Sequence, residues 1–117
     1  MMRMLPARLA LTMFVVGLLA GQGAAFAASA ENGKRLFMQV GCWQCHGTVG
    51  QGGVAGPRIA PDPLPYEALA AFVRTTNRAM PPYRETVLSN SDLGDIYAYL
   101  QSIPKSPEPD SLPLLKP

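Results

Sequence analysis

Cys42-Trp43-Gln44-Cys45-His46 brings two thiols and one imidazole together within five residues. C-x-x-C-H is the pattern by which a chain takes up a covalent c-type haem. The thiols add across the two vinyl groups of the porphyrin and become thioethers. The histidine follows at once, so its ring can reach the iron on the proximal face. The 117-residue chain holds two cysteines and one histidine, so the motif uses all of both. Other chemistries account for less of it. A thioredoxin-like pair needs a βαβ frame, and no alternating apolar strand lies near Cys42. A zinc site needs three or four protein ligands, and adjacent Cys45 and His46 are poorly placed to close one tetrahedron. A plain disulfide would leave His46 unexplained.

An electron-transfer haem needs a second axial ligand. No second histidine exists, and beyond residue 30 the methionines are Met38 and Met80. Met38 lies on the approach to the attachment site, from which the other haem face is hard to reach. Met80 stands in a loop stiffened by Pro81 and Pro82. Such a backbone loses less entropy when it holds a weak thioether ligand. The competing assignment for Met80 is a gap-filling core residue. Together with the upstream motif, the spacing favours His46 and Met80 as the axial pair.

Short helices must position these groups. Leu36, Phe37 and Val40 give one apolar stripe, predicting a helix over about 30–40 that Ser29 or Asn32 caps and Gly41 stops. Residues 47–65 hold Gly47, Gly50, Gly52, Gly53 and Gly56, then Pro57, Pro61, Pro63 and Pro65, and predict a loop. A loop of that length is usually functional, and the object to wrap is the haem. A second helix is expected over Tyr66 to about Thr75, with Pro65 at its first position and Leu69, Phe72 and Val73 on one face. A third is expected over about Ser91 to Ser102. Ser89, Asn90 or Ser91 would cap it, Pro104 lies beyond it, and Leu93, Ile96, Tyr97 and Leu100 form its stripe. Residues 104–117 are proline-rich and predict an extended tail, packed on the surface through Leu112, Leu114 and Leu115.

The first 30 residues read as a secretory signal peptide rather than part of the fold. Arg3 and Arg8 make the positive region, and Leu9 to Ala20 is the apolar one. Ala25-Phe26-Ala27 and Ala28-Ser29-Ala30 offer cleavage after Ala27 or Ala30. The apolar run is shorter than the ~20 residues a membrane span needs. The organisation expected is therefore a signal peptide over 1–30, one domain over 31–103 and a tail over 104–117, located in the periplasm. Export agrees with the motif, because free cysteines outside the cytoplasm would otherwise oxidise. Processing also removes the apparent positive charge. The whole chain carries +2, and Arg3 and Arg8 supply it, since all eight acidic residues lie beyond the leader. The balance gives no reason to expect nucleic acid or an anionic membrane as a partner.

At this point the chain resembles the class I c-type cytochromes, over about residues 30–103. Gly33 and Phe37 match the family's first-helix Gly-x-x-x-aromatic pattern, and Ile96 and Tyr99 match the last-helix positions that meet it. Gly56-Pro57 resembles the Gly-Pro that follows the haem motif. The resemblance implies an all-α cytochrome c fold, three to four short helices and loops wrapped around one covalent haem c. It implies Cys42 and Cys45 as the thioether links, His46 and Met80 as axial ligands, and the Pro57 carbonyl as acceptor of the His46 Nδ1 proton. That last contact would fix the tautomer of the ligand. The lysine cluster of mitochondrial relatives is absent. Trp43 is either near the haem edge or a partly exposed packing residue. Arg74, Arg78 and Arg84 flank Met80, where they are either solvated or partners for propionates or an acidic protein.

The resulting expectation is a one-electron carrier, not an enzyme. It would exchange electrons with redox proteins such as a dehydrogenase, a cytochrome complex or a terminal oxidase. It is expected to be a monomer without a stable membrane span. The alternatives are a cytochrome subunit of a periplasmic dehydrogenase complex, and a haem sensor or enzyme whose distal site is open.

Overall fold

A computed structural model describes residues 27–116; most of the leader lies outside it. Four α-helices carry the fold: α1 (Ala30–Gln39), α2 (Trp43–His46), α3 (Tyr66–Thr75) and α4 (Asn90–Ser102). Among the described residues there is no strand, as an all-α chain requires.

Local chemistry sets the helix ends. Ser29 caps α1 by accepting from the Asn32 N–H at 3.2 Å, and Ser89 caps α4 by accepting from the Asp92 N–H at 3.0 Å. Pro65 stands one position earlier than the sequence predicts, at the N-cap of α3 rather than inside its first turn. Its φ of −49° suits a helix, but its ψ of 140° is extended.

The frame is the packing of α1 on α4. Gly33 makes it possible, because a Cβ there would collide with the Asp95 carbonyl of α4. Phe37 is fully buried and meets Tyr99 edge to face, with ring centroids 5.6 Å apart. Burying a side chain of that size contributes roughly 1.5–3 kcal/mol. Asp95 then closes the end of the crossing by accepting from Asn32 Nδ2 and from the Ser29 N–H, both at 2.7 Å. The α4 stripe is buried at Leu93, Ile96 and Leu100. Tyr97, the fourth member of the periodic set, instead turns to α3 and packs edge to face on Tyr66.

Leu69, Phe72 and Val73 share one face of α3 as expected, and that face borders a cavity rather than a closed core, which leaves Phe72 49 % exposed. The tail departs from the expected surface packing: Leu114 is 97 % exposed and Leu112 is exposed too. Its prolines supply no N–H donors, and among its described residues the hydrogen bonds are local, in single 3₁₀ turns at Pro109–Ser111 and Pro113–Leu115. A Lys105–Asp62 ion pair of 3.0 Å ties its start to the loop before α3, and both side chains are largely in water. Such a pair contributes ~0–1 kcal/mol.

Candidate functional site

The C-x-x-C-H spacing becomes geometry in α2, a single helical turn that the sequence periodicity did not predict. Cys42, Cys45 and His46 stand at i, i+3 and i+4, on one face of that turn. All three line the same cavity, while Trp43 and Gln44 are exposed. The turn is tied to its surroundings through backbone groups. The Cys42 N–H donates to the Phe37 carbonyl at 3.1 Å, and the Gly52 N–H donates to the His46 carbonyl at 2.7 Å.

The following loop folds back against the turn. A Cβ on Gly56 would lie 3.0 Å from the Cys45 carbonyl oxygen, so glycine permits the approach. The next residue, Pro57, places its carbonyl oxygen 2.8 Å from His46 Nδ1. A carbonyl can only accept, so Nδ1 carries the proton and Nε2 keeps its lone pair. His46 is buried, and this contact leaves Nε2 as the ring nitrogen available to a ligand.

The cavity has a volume of about 620 Å³. Cofactor clefts commonly span about 300–1,000 Å³ and are largely apolar, as this one is. Leu88, Leu93, Ile96 and Leu100 wall it on the α4 side, and Leu69, Phe72 and Val73 on the α3 side. Met80 and Tyr83 line it from the loop between those helices. Met38 does not, being exposed on α1. Burial pushes the Cys42 thiol up to about 11, so it is an uncharged thiol at neutral pH. Neither cysteine is in a disulfide. Among the described residues no group of three or more His, Cys, Asp or Glu side chains is arranged to hold a metal ion. A covalent haem fits this donor set: two free thiols and one oriented imidazole on one wall, and a thioether on the same apolar chamber.

The three arginines near Met80 have separate fates. Arg74 is half-buried and does not line the cavity. It donates from Nη1 to the Tyr83 carbonyl at 2.7 Å and from Nη2 to Asn90 Oδ1 at 2.9 Å. Arg84 is exposed and stands off the cavity. Arg78 is exposed and lines the rim, together with Arg58, which sequence reasoning missed. Two guanidinium groups there suit the carboxylates of a haem edge. Tyr83 was also missed. Its hydroxyl donates to the Val40 carbonyl at 2.9 Å. Burial raises its pKa above 10.0, so it is a neutral donor at physiological pH. Nothing in its sequence neighbourhood announces a partner so far away.

A family model described as cytochrome c oxidase, cbb3-type, subunit III, matches residues 28–100, more than half of the chain. No curated protein and no solved structure shows a significant match. The matched span contains α1, the α2 turn, α4 up to Leu100 and every residue that lines the cavity. The chain belongs to this family of c-type cytochrome domains, with haem c as its cofactor and haem-based electron transfer as its work.

Proposed function

We propose that the protein is a one-electron carrier whose haem iron is held between His46 and Met80. The observation that carries this reading is that both residues line one apolar cavity, with His46 Nε2 left free by the Pro57 contact. The haem supplies an iron that changes oxidation state by one electron. The chain's own part is to attach, orient and dry it. Cys42 and Cys45 fix it covalently, Pro57 holds the imidazole and strengthens it as a donor, and the α3 and α4 side chains exclude water. A methionine thioether favours the reduced iron and raises the potential. Were His46 and Met80 both to hold the iron, no position on it would be left for a substrate. Arg58 and Arg78 would receive the propionates at the rim. Carbon monoxide tests this directly: the reduced holoprotein should show no spectral change under it. Ready binding would establish an open distal site and the sensor or enzyme reading.

The partners are other redox proteins, met through small and transient interfaces. A second reading, a cytochrome subunit held permanently in a larger redox complex, is favoured by the tail. Leu112 and Leu114 are exposed there without a core to join, and the family's description is of an oxidase subunit. Retention of a stoichiometric partner through purification separates the two.

We also propose export to the periplasm with removal of the leader after Ala27. Cleavage there keeps Ser29, which caps α1 and donates to Asp95. Cleavage after Ala30 would strip both contacts from the mature protein. Among the described residues no helix is long and apolar enough to cross a membrane. The intact mass of the exported protein distinguishes the two sites.

A further inference from the structure

Met80 lies in the long loop, residues 76–89, that joins α3 to α4. Among the described residues, no backbone-to-backbone hydrogen bond is made within 77–82. The first anchor after Met80 is Tyr83, and it gathers three separate contacts. Its N–H donates to the Val73 carbonyl at 2.9 Å. Its own carbonyl accepts from Arg74 Nη1 at 2.7 Å. Its hydroxyl reaches across the molecule to the Val40 carbonyl at 2.9 Å. Val40 is the C-cap of α1, two residues before Cys42. One side chain therefore joins the end of the Met80 loop to the entry of the attachment turn. The hydroxyl also meets the Val40 carbonyl at a helix end, where it has no partner within the helix.

We propose that Tyr83 is the positioning residue for Met80, a latch whose hydroxyl bond to Val40 keeps the loop closed over the haem cavity. This rests on Met80 being an iron ligand. The latch makes a specific prediction about local opening. An external ligand such as imidazole reaches ferric iron only when the sulfur is off, so its apparent affinity rises with the fraction of molecules open. Another tyrosine provides the control. Tyr99 donates its hydroxyl to the Thr48 carbonyl at 2.8 Å, a bond of the same kind placed away from the Met80 loop.

Imidazole titration of the ferric holoprotein, followed through loss of the sulfur-to-iron charge-transfer band, separates the possibilities. Tyr83→Phe keeps the ring in the cavity wall and removes only the hydroxyl. It should bind imidazole about 2- to 10-fold more tightly than the wild type, the range expected for one hydrogen bond. Tyr99→Phe should lower thermal stability yet leave the imidazole constant within about twofold of wild type. An unchanged constant in Tyr83→Phe overturns the latch while leaving Met80 ligation intact. An equal shift in Tyr99→Phe also overturns it, because general loosening would then be the cause. A wild-type ferric protein with no sulfur band overturns the ligation and the latch together.

Discussion

The two sides of the haem cavity are built differently. The His46 side is held chiefly by main-chain groups. The Phe37 and Cys42 backbones meet, Gly52 meets His46, and the Gly50 carbonyl accepts from the Ile59 and Ala60 N–H groups at 2.8 and 3.0 Å. The Met80 side is held chiefly by side chains: Arg74, Tyr83 and, more weakly, Thr76, whose hydroxyl lies 3.4 Å from the Met80 carbonyl; its one main-chain anchor near Met80 runs from the Tyr83 N–H to the Val73 carbonyl. A main-chain net survives most substitutions, because any residue supplies its donors and acceptors. A side-chain net depends on the identity of a few residues. The placement of His46 should therefore be constant in the face of mutation, and that of Met80 tunable.

The largest effect tests the attachment itself. Cys42→Ala with Cys45→Ala should release the haem under denaturing conditions, where the wild type retains it, and either single change should keep one covalent link. Next comes the frame that both sides share. Gly33→Ala pushes a methyl group into the Asp95 carbonyl, and should cost about 3 kcal/mol in chemical denaturation. If the comparison holds, it loosens both sides together. Arg74→Gln acts on the distal side alone. It removes charged donors to Tyr83 and Asn90, and should cost about 2 kcal/mol while leaving the covalent haem in place. An equal change in the environment of His46, read by nuclear magnetic resonance, would break the distinction drawn between the sides.

The smallest effect concerns pH. The Asn32 amide and then the Ser29 N–H hold the Asp95 carboxyl below its ordinary 3.8. A depressed carboxyl contributes stability above its unfolded value and loses it as pH falls through the folded one. Asp95→Ala should thus lower the melting temperature slightly at neutral pH. The gap from wild type should close as the pH drops below 3.8. A gap that persists in strong acid would show that the carboxylate is not its source.

The same contrast explains what could be read from the amino-acid order. Features set by neighbouring residues were legible. Ser29 and Ser89 stand among the few candidate caps at each helix start, and C-x-x-C-H carries its own chemistry, whereas the crossing at Gly33 and Phe37 was implied by the family resemblance. Features that appear only on chain closure were not. Arg74 looks like a surface cation until Tyr83 and Asn90 fold against it. Tyr83 and Val40 are 43 residues apart, and no local pattern joins them. Arg58 is one of several exposed cations, and only the shape of the cavity places it at the rim. Phe72 fits an apolar stripe, but the stripe faces a chamber meant for a cofactor, so part of it remains open. The tail leucines resemble packing residues because periodicity cannot register that proline removes the donors a packed strand or helix would need.

The central claim is that Met80 and His46 together hold the iron. The ferric absorption spectrum of the wild type and of Met80→Ala tests it most directly. The wild type should be low-spin with a sulfur-to-iron charge-transfer band, and Met80→Ala should lose that band while keeping its haem. A high-spin wild-type spectrum, or a band that survives Met80→Ala, would contradict it.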